Sequence, residues 1–199
     1  MIKLRTPSYI VLGMLRLGAR SGYAIKKATD ISTRVFLPIS LAQIYPELAR
    51  LAEAGLVTRR DDSQGRRSRS AYTATEDGEE ALLAWLRSPR FAPTQFRDEG
   101  ILRLFFADAL PHAEQIELVA RMAARAREAE GWMRDAVLPA AETLSREEGF
   151  DRPLSVARLG ADVYRFIAEQ LEAMEVELTK PEVAGSTPST ASRETPAGS

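Results

Sequence analysis

Both ends of one helix are marked in residues 40–56, SLAQIYPELARLAEAGL. Ser40 and Gln43 form a capping box, in which the serine hydroxyl and the glutamine amide satisfy backbone donors of the first turn. Gly55 is a typical helix stop. Pro46 removes one backbone hydrogen bond from the interior, at a cost of about 3 kcal/mol, so we expect a bend or an irregular first turn. The apolar stripe of this helix consists of Ile44, Leu48 and Leu51.

Two helices are predicted before this one. Thr6 and Pro7 form a start signal, an N-cap followed by proline at the first helical position, and Gly18 ends that first helix. Ser21 caps the second helix. The predicted inner face of the second helix is Ala24, Ala28, Ile31 and Val35, and its outer face carries Lys26 and Lys27.

After Gly55 the pattern changes to a hairpin followed by a helix. Residues 56–60 and 66–74 are predicted strands, and the polar residues 61–65 are the turn between them. Thr75 caps a fourth helix, whose first turn is rich in carboxylates that complement the helix dipole. Three helices, a hairpin and a helix predict a mainly α fold that begins with a winged helix-turn-helix.

In a winged helix-turn-helix the third helix, here about residues 40–54, enters the major groove of DNA. The hairpin, or wing, is here about residues 56–74, and its tip contacts the adjacent phosphates. A capping box alone would also explain Ser40 and Gln43, and a solvated polar face would explain the lysine pair. Tyr45 could instead pack on the wing, and Arg50 could form a surface ion pair. The candidate DNA contacts are Lys26, Lys27, Ser40, Gln43, Tyr45, Arg50, Arg66, Arg67 and Arg69.

The charge is divided between the two halves of the chain. Residues 1–88 carry fourteen Lys and Arg against nine Asp and Glu, which gives +5, and the chain total of −1 leaves −6 for the remainder. A basic domain joined to an acidic one indicates two functions, one of which is binding to a polyanion. We expect a DNA-binding domain at 1–88, a proline-containing linker at 89–97, a helical C-terminal domain at 98–179 and a disordered tail at 180–199.

The composition excludes several kinds of function. The 199 residues contain no cysteine and one histidine, which excludes disulfides, thiolate metal sites and multi-histidine centres. No nucleophile, base or metal set is visible, so we expect no enzyme activity, no cofactor and no metal. His112 is expected at the surface or as a cap. The lack of a long apolar segment indicates a cytoplasmic protein.

Several ordered motifs resemble the PadR family of transcriptional regulators. They are YIVLGML (9–15), SGYAIKK (21–27), IYPELARLAEAGL (44–56) and GRRSRSAYTATEDG (65–78). RDEGILRLFF (97–106) is similar to the opening of the larger C-terminal domain of one family branch. The sequence departs from the family habit at Arg67, where proline is common, and at Ala74, where leucine is usual. The resemblance implies a DNA-binding regulator that forms a homodimer through its C-terminal helices.

The C-terminal half contains a long apolar seam at three- and four-residue spacing. A chain this short offers few elements to cover it, so we expect the seam to pack against its copy in a second protomer. A fifth helix around residues 101–106 has almost no polar face and is expected to be buried. A long helix after Pro111 is expected to bury Ile116, Val119, Ala123, Ala126, Met133 and Val137. The residues of the dimerisation seam are Val156, Leu159, Val163, Phe166, Ile167, Leu171, Met174 and Leu178.

The sequence thus predicts a homodimeric repressor that binds an inverted repeat of double-stranded DNA. Some PadR relatives bind aromatic or amphiphilic small molecules near the dimer interface, so Trp132 and Phe105 are candidates for an effector pocket, with core packing as the alternative. Tyr72 and Trp85 are expected in the core of the first half. The alternative function is a winged-helix protein–protein interaction module, because the fold alone does not fix function.

Overall fold

The structure is a computed structural model that describes residues 2–62, 69–91, 93 and 97–180. Within these ranges the first half contains α1 (Thr6–Arg16), α2 (Gly22–Asp30), α3 (Leu41–Glu53), the hairpin β1 (Val57–Asp62) and β2 (Arg69–Ala74), and α4 (Glu76–Leu86). The second half contains α5 (Glu99–Phe105), α6 (His112–Trp132), α7 (Leu138–Glu148) and α8 (Asp151–Thr179). Short 3₁₀ turns lie at Thr33–Val35 and Ala107–Ala109, and a π-helical segment at Met133–Val137. The predicted mainly α fold with an N-terminal winged helix is confirmed.

The N-terminal core is built from one face of each helix and from both strands of the hairpin. Ile44, Leu48 and Leu51 of α3 are fully buried, as predicted. The other members of this core are Val11, Leu12, Met14, Leu15, Ile25, Ile39, Val57, Tyr72 and Leu82.

The inner face predicted for α2 is only partly correct, because Ala28 packs on the core but Ile31 does not. Ile25 and Thr29 are its buried side chains, together with Gly22, whereas Ile31 is exposed. The helix ends at Asp30 and the 3₁₀ turn follows, so the apolar spacing that was assumed to continue to Val35 does not describe one helix. Ser21 is the N-cap, as predicted, and its side chain accepts a hydrogen bond from the Ala24 N–H at 3.1 Å.

The start of α1 differs from the prediction by one residue. Arg5, not Thr6, occupies the N-cap position. The Ser8 side chain helps to cap this helix end, because its Oγ accepts a hydrogen bond from the Arg5 N–H at 2.9 Å. Gly18, with φ +91°, ends the helix as predicted.

The two strands are antiparallel, with Val57 opposite Ala74 and Asp62 opposite Arg69. The predicted turn and the start of the returning strand fall partly on residues 63–68, outside the described residues. Thr75 is the cap of α4, as predicted: it accepts from the Gly78 N–H at 3.2 Å and donates to the Gly55 carbonyl at 2.7 Å. Gly78 packs so closely on the hairpin that an added Cβ would lie 2.1 Å from the Leu56 carbonyl oxygen.

Two predictions of burial, for Trp85 and for the fifth helix, are wrong within a single chain. Tyr72 is buried, but Trp85 is 45% exposed and stacks on Tyr9 with a ring separation of 4.6 Å. Helix α5 is not buried on most sides either, since it packs on α6 and leaves Phe105 78% exposed. Asp98 anchors the start of α5, because it accepts from the Gly100 N–H and from Arg125 of α6.

Helices α6 and α8 form the core of the second half. The buried residues predicted after Pro111 are confirmed, except that Ile116 is only half-buried. The predicted single helix is interrupted by the π-helical segment before α7 begins. His112 Nε2 lies 2.8 Å from the Leu178 carbonyl oxygen, so α6 begins beside the end of α8. Among the described residues, no helix is both long and apolar enough to cross a membrane.

Candidate nucleic-acid interface

The first turn of α3 lies at the surface because the opposite face of the helix is committed to the core. Ser40, Gln43 and Tyr45 are exposed, whereas Ile44 and Leu48 are fully buried. A helix anchored on one face in this way presents a rigid outer face, which is the geometry that a major-groove reading helix needs. The sequence-predicted positions Ser40, Gln43 and Tyr45 are therefore brought together.

The capping box holds the side chains of this turn in place. The Ser40 N–H donates to Gln43 Oε1 at 3.0 Å, and the Ser40 hydroxyl lies 3.0 Å from the same oxygen. The capping role predicted for these two residues is confirmed. The Gln43 oxygen is thus used within the protein, and the Gln43 residue lies at the surface.

Tyr45 has one ring face toward α2 rather than lying free. Its ring lies against Gly22, where an added Cβ would come within 2.5 Å of the Tyr45 Cε1 atom. The side chain is still 49% exposed. A half-exposed ring beside the start of two helices can present its edge or hydroxyl to a ligand while its position stays fixed.

Arg50 is held by the protein itself. Its Nε donates to Glu47 at 3.1 Å and its Nη1 to the Lys3 carbonyl at 3.2 Å. Nη2 donates to Ser8 Oγ at 2.8 Å and to Glu47. The ion pair that was the alternative for Arg50 is therefore what the structure shows, and we remove Arg50 from the DNA-contacting set because every guanidinium nitrogen has a partner.

The ion pair with Arg50 also affects the pKa of Glu47. Burial raises the pKa of Glu47, but the hydrogen bonds from Arg50 and Ser8 outweigh burial and leave the pKa below its usual range. Glu47 and Arg50 thus form a charged, partly buried ion pair on α3. The hydrogen bond from Arg50 to Ser8 connects this pair to the start of α1.

The lysine pair on α2 divides into two different side chains. Lys26 is half-buried and paired with Asp30, one turn further along the helix. Lys27 is exposed. Lys27 is therefore the better candidate for a phosphate contact, and Lys26 is better explained by the helix ion pair.

The wing is described only in part. Arg66 and Arg67 lie outside the described residues, and for Arg69 the structure gives the backbone, at the start of β2. Sequence reasoning missed Arg59 and Arg60, which are exposed on β1. The signal was available, because two consecutive arginines precede a polar turn on the strand that enters the wing.

The predicted dimerisation seam divides into two faces. Leu171 is buried, and Ile167 and Leu178 pack on the core that α8 shares with α6. The other members remain at the surface, where Leu159 is 63% and Phe166 60% exposed. α6 therefore covers part of the seam within one chain, and the part left uncovered is Val156, Leu159, Val163, Phe166 and Met174.

Two cavities bear on the predicted effector pocket. The smaller, about 400 Å³, is lined by Trp132, Tyr164 and Arg125 among others, and the Arg34 guanidinium lies 4.5 Å from the centre of the Trp132 ring. The larger, about 450 Å³, is almost entirely apolar and lies between the two halves of the chain. Phe105 lines neither of them.

The larger cavity has a few polar groups in its wall. Thr33 and Arg152 both contribute to the lining, next to apolar residues such as Phe36 and Val156. Within the described residues, Thr33 Oγ1 is buried and has no hydrogen-bond partner. This arrangement suits a mainly apolar ligand with one polar end. Among the described residues, no group of three or more acidic or histidine side chains is placed to hold a metal.

Residues 11–84 match the family model described as the transcriptional regulator PadR-like family. The chain is 34% identical over 116 residues to the negative transcriptional regulator PadR of Bacillus subtilis, an alignment that spans 58% of this chain and 64% of that relative, less than two thirds. The fold is similar to that of Bacillus subtilis PadR in complex with operator DNA, with a TM-score of 0.77, 24% identity and coverage of 87% and 99% of the two chains. It is also similar to Bacillus subtilis PadR in complex with p-coumaric acid, with a TM-score of 0.72, 23% identity and coverage of 88% and 100%.

Proposed function

We propose that this chain, which belongs over residues 11–84 to the PadR-like family of transcriptional regulators, is a homodimeric repressor that binds an inverted-repeat operator. The relative at 34% identity is a negative regulator, which favours repression over activation. The basic first domain and the acidic remainder of the chain agree with one half that faces DNA and one that faces away from it.

The observation that carries this proposal is the fixed, outward first turn of α3. Gln43 and Tyr45 are exposed on a helix whose other face is fully buried, so they can approach base edges without rearrangement of the core. Arg60 on β1 supplies exposed positive charge, and the wing sequence contains three further arginines. In the proposed complex α3 lies in the major groove, and the wing and Lys27 contact phosphates.

The proposed dimer uses the uncovered apolar surface of the second half. Leu159 and Phe166 on α8, and Phe105 on α5, expose large apolar side chains that a monomer would leave in water. A two-fold dimer would present two copies of α3 on one side. A separation of roughly 34 Å would place them in successive major grooves.

The remaining assignments follow from this function. We propose the DNA-binding domain at 1–88, the linker at 89–97, the dimerisation domain at 98–179 and the tail at 180–199. A regulator of chromosomal genes acts in the cytoplasm. It needs no catalytic group, so we propose that the chain is not an enzyme and uses neither a cofactor nor a metal.

For effector control we propose the apolar cavity between the two halves, rather than a pocket shared by Trp132 and Phe105. Bacillus subtilis PadR has been crystallised with p-coumaric acid, a small aromatic acid. An aromatic ring suits the apolar wall, and Arg152 suits one polar, acidic end. Trp132 takes part indirectly, because Arg34 contacts its ring one residue away from Thr33.

A gel shift with DNA from upstream of the protein's own gene tests the function. We expect retardation at low salt for the wild type and much weaker binding for the triple variant Arg66→Ala, Arg67→Ala, Arg69→Ala. Absence of retardation for both proteins would instead favour the interaction-module alternative. Titration of the bound complex with p-coumarate tests the effector, and release of DNA is the expected result.

A further inference from the structure

The proposed function leaves open which bases α3 recognises, and the capping box restricts the answer. Between Ser40 and Tyr45, Gln43 is the one polar side chain of α3, since its neighbours are Leu41, Ala42 and Ile44. Leu41, Ala42 and Gln43 are exposed. Direct reading by residues 41–44 therefore depends on what the Gln43 amide can still offer.

The oxygen of that amide is already occupied. The Ser40 N–H is a donor and can be satisfied only by an acceptor, so the amide oxygen must face the helix end. Oε1 lies 3.0 Å from the Ser40 nitrogen and 3.0 Å from the Ser40 hydroxyl oxygen. The same chemistry fixes which end of the amide faces outward: the Nε2 group, with its two N–H donors.

We propose that Gln43 reads DNA as a donor only. In the major groove guanine presents the acceptors N7 and O6, and thymine presents O4. Cytosine presents a donor, and the usual glutamine pairing with adenine requires the amide to donate to N7 and accept from N6 at the same time. A glutamine whose oxygen caps its own helix cannot make that second bond. A donor-only Gln43 therefore favours guanine, whose N7 and O6 can accept from both N–H groups, over adenine and thymine, which offer one acceptor each, and discriminates against cytosine.

This inference rests on the proposed function, and a matched variant separates the two. In Gln43→Glu the carboxylate still accepts from Ser40, because glutamate is as good a capping-box residue as glutamine. It has no donor left for the groove. The variant thus keeps the hydrogen bond that caps the helix, but it presents an acceptor to DNA where the wild type presents a donor.

The experiment is selection of binding sites from a random duplex library, carried out in parallel with the wild type and Gln43→Glu. We expect the wild type to enrich sites in which one position of each half-site is restricted mainly to guanine. Gln43→Glu should lose that restriction or move it to cytosine or adenine, and should bind the wild-type site about tenfold or more weakly. An equal thermal midpoint for the two proteins checks that the cap is retained.

A second measurement uses the wild-type protein alone, so that it does not depend on how the variant folds. The preferred guanine is replaced by 7-deazaguanine, which lacks the N7 acceptor and keeps O6. We expect weaker binding of the substituted duplex. Unchanged affinity for both the analogue and Gln43→Glu, or adenine preferred over guanine at that position, would overturn the donor-only proposal while leaving DNA binding intact. Enrichment of no site by the wild type would overturn the proposed function, and this inference with it.

Discussion

Arg50 on α3 donates from Nη2 to the Oγ of Ser8 on α1 across 2.8 Å, and Ser8 is completely buried. Ser8 also receives the Arg5 N–H that opens α1. One hydroxyl group therefore joins the start of the first helix to the middle of the helix proposed to read DNA. The arginine that sequence reasoning assigned to DNA is a structural tie between them.

Replacement of Arg50 by alanine should lower stability. The substitution leaves the half-buried Glu47 and the fully buried Ser8 without their main partner, which costs about 1–3 kcal/mol in the free energy of unfolding. Urea denaturation measures it. Lys27→Ala is the control, since an exposed side chain in the same domain should change stability by less than about 0.5 kcal/mol. Unchanged stability of Arg50→Ala together with a large loss of DNA affinity would return Arg50 to the interface.

Low pH should weaken the interaction of Glu47 with Arg50 and Ser8. The pKa of Glu47 is lower in the folded protein than in the unfolded chain, because its hydrogen bonds to Arg50 and Ser8 outweigh the effect of burial. Its contribution to stability is therefore present above the unfolded pKa and disappears as the pH falls through the folded pKa, from about pH 5 downward. The stability difference between the wild type and Glu47→Gln should shrink over that range.

Melting curves from pH 7 to pH 3 measure this effect. The pKa of Asp98 is also lowered, by its hydrogen bond from Arg125, and acts with the same sign. Asp98→Asn therefore serves as a parallel variant that isolates the contribution of the second half. A constant difference between wild type and Glu47→Gln at every pH would contradict the assignment.

A negative charge on the uncovered face of α8 should separate the protomers. Leu159→Glu places a carboxylate within the proposed interface, where burial without a partner is strongly unfavourable. Light scattering should show the mass of the 22.0 kDa chain for this variant and twice that mass for the wild type. Arg158→Glu is the control, because the adjacent exposed residue points about 100° away around the helix. A wild type that stays monomeric at micromolar concentration would contradict the dimer.

DNA binding should depend steeply on salt. If each subunit neutralises about four phosphates, log affinity should fall against log salt with a slope of roughly −7. The triple replacement of Arg66, Arg67 and Arg69 by alanine should make the slope shallower and weaken binding to all sequences alike. Fluorescence anisotropy between 50 and 300 mM salt, as an approximate range, gives both slopes. Equal slopes for the two proteins would remove the wing from the phosphate contacts.

Sequence reasoning succeeded where the structure depends on neighbours along the chain. The capping box of Ser40 and Gln43 and the cap at Thr75 follow from spacing alone, since both partners lie within one turn. It failed where a distant element decides. Ser8, one of the partners of Arg50, is 42 residues away, and the stacking of Trp85 on Tyr9 joins two helices far apart in the chain.

The seam of α8 shows the same limit in another form. Three- and four-residue spacing identifies an apolar helix face but not what covers it. α6 packs on Leu171 and leaves Leu159 exposed, although both belong to one sequence pattern. Only the arrangement of the neighbouring helix separates the intramolecular part of the seam from the part available to a second chain.

The contact between Arg34 and Trp132 has a thermodynamic consequence. Arg34 lies in the 3₁₀ turn between α2 and α3, and Trp132 lies at the end of α6, beside the cavity proposed for the effector. A ligand that shifts this contact to weaken DNA binding must itself be bound more weakly, by the same factor, when DNA is present. Operator DNA would then lower the affinity of the protein for the small molecule. The indole fluorescence of Trp132 would also change when DNA binds at the far side of α3.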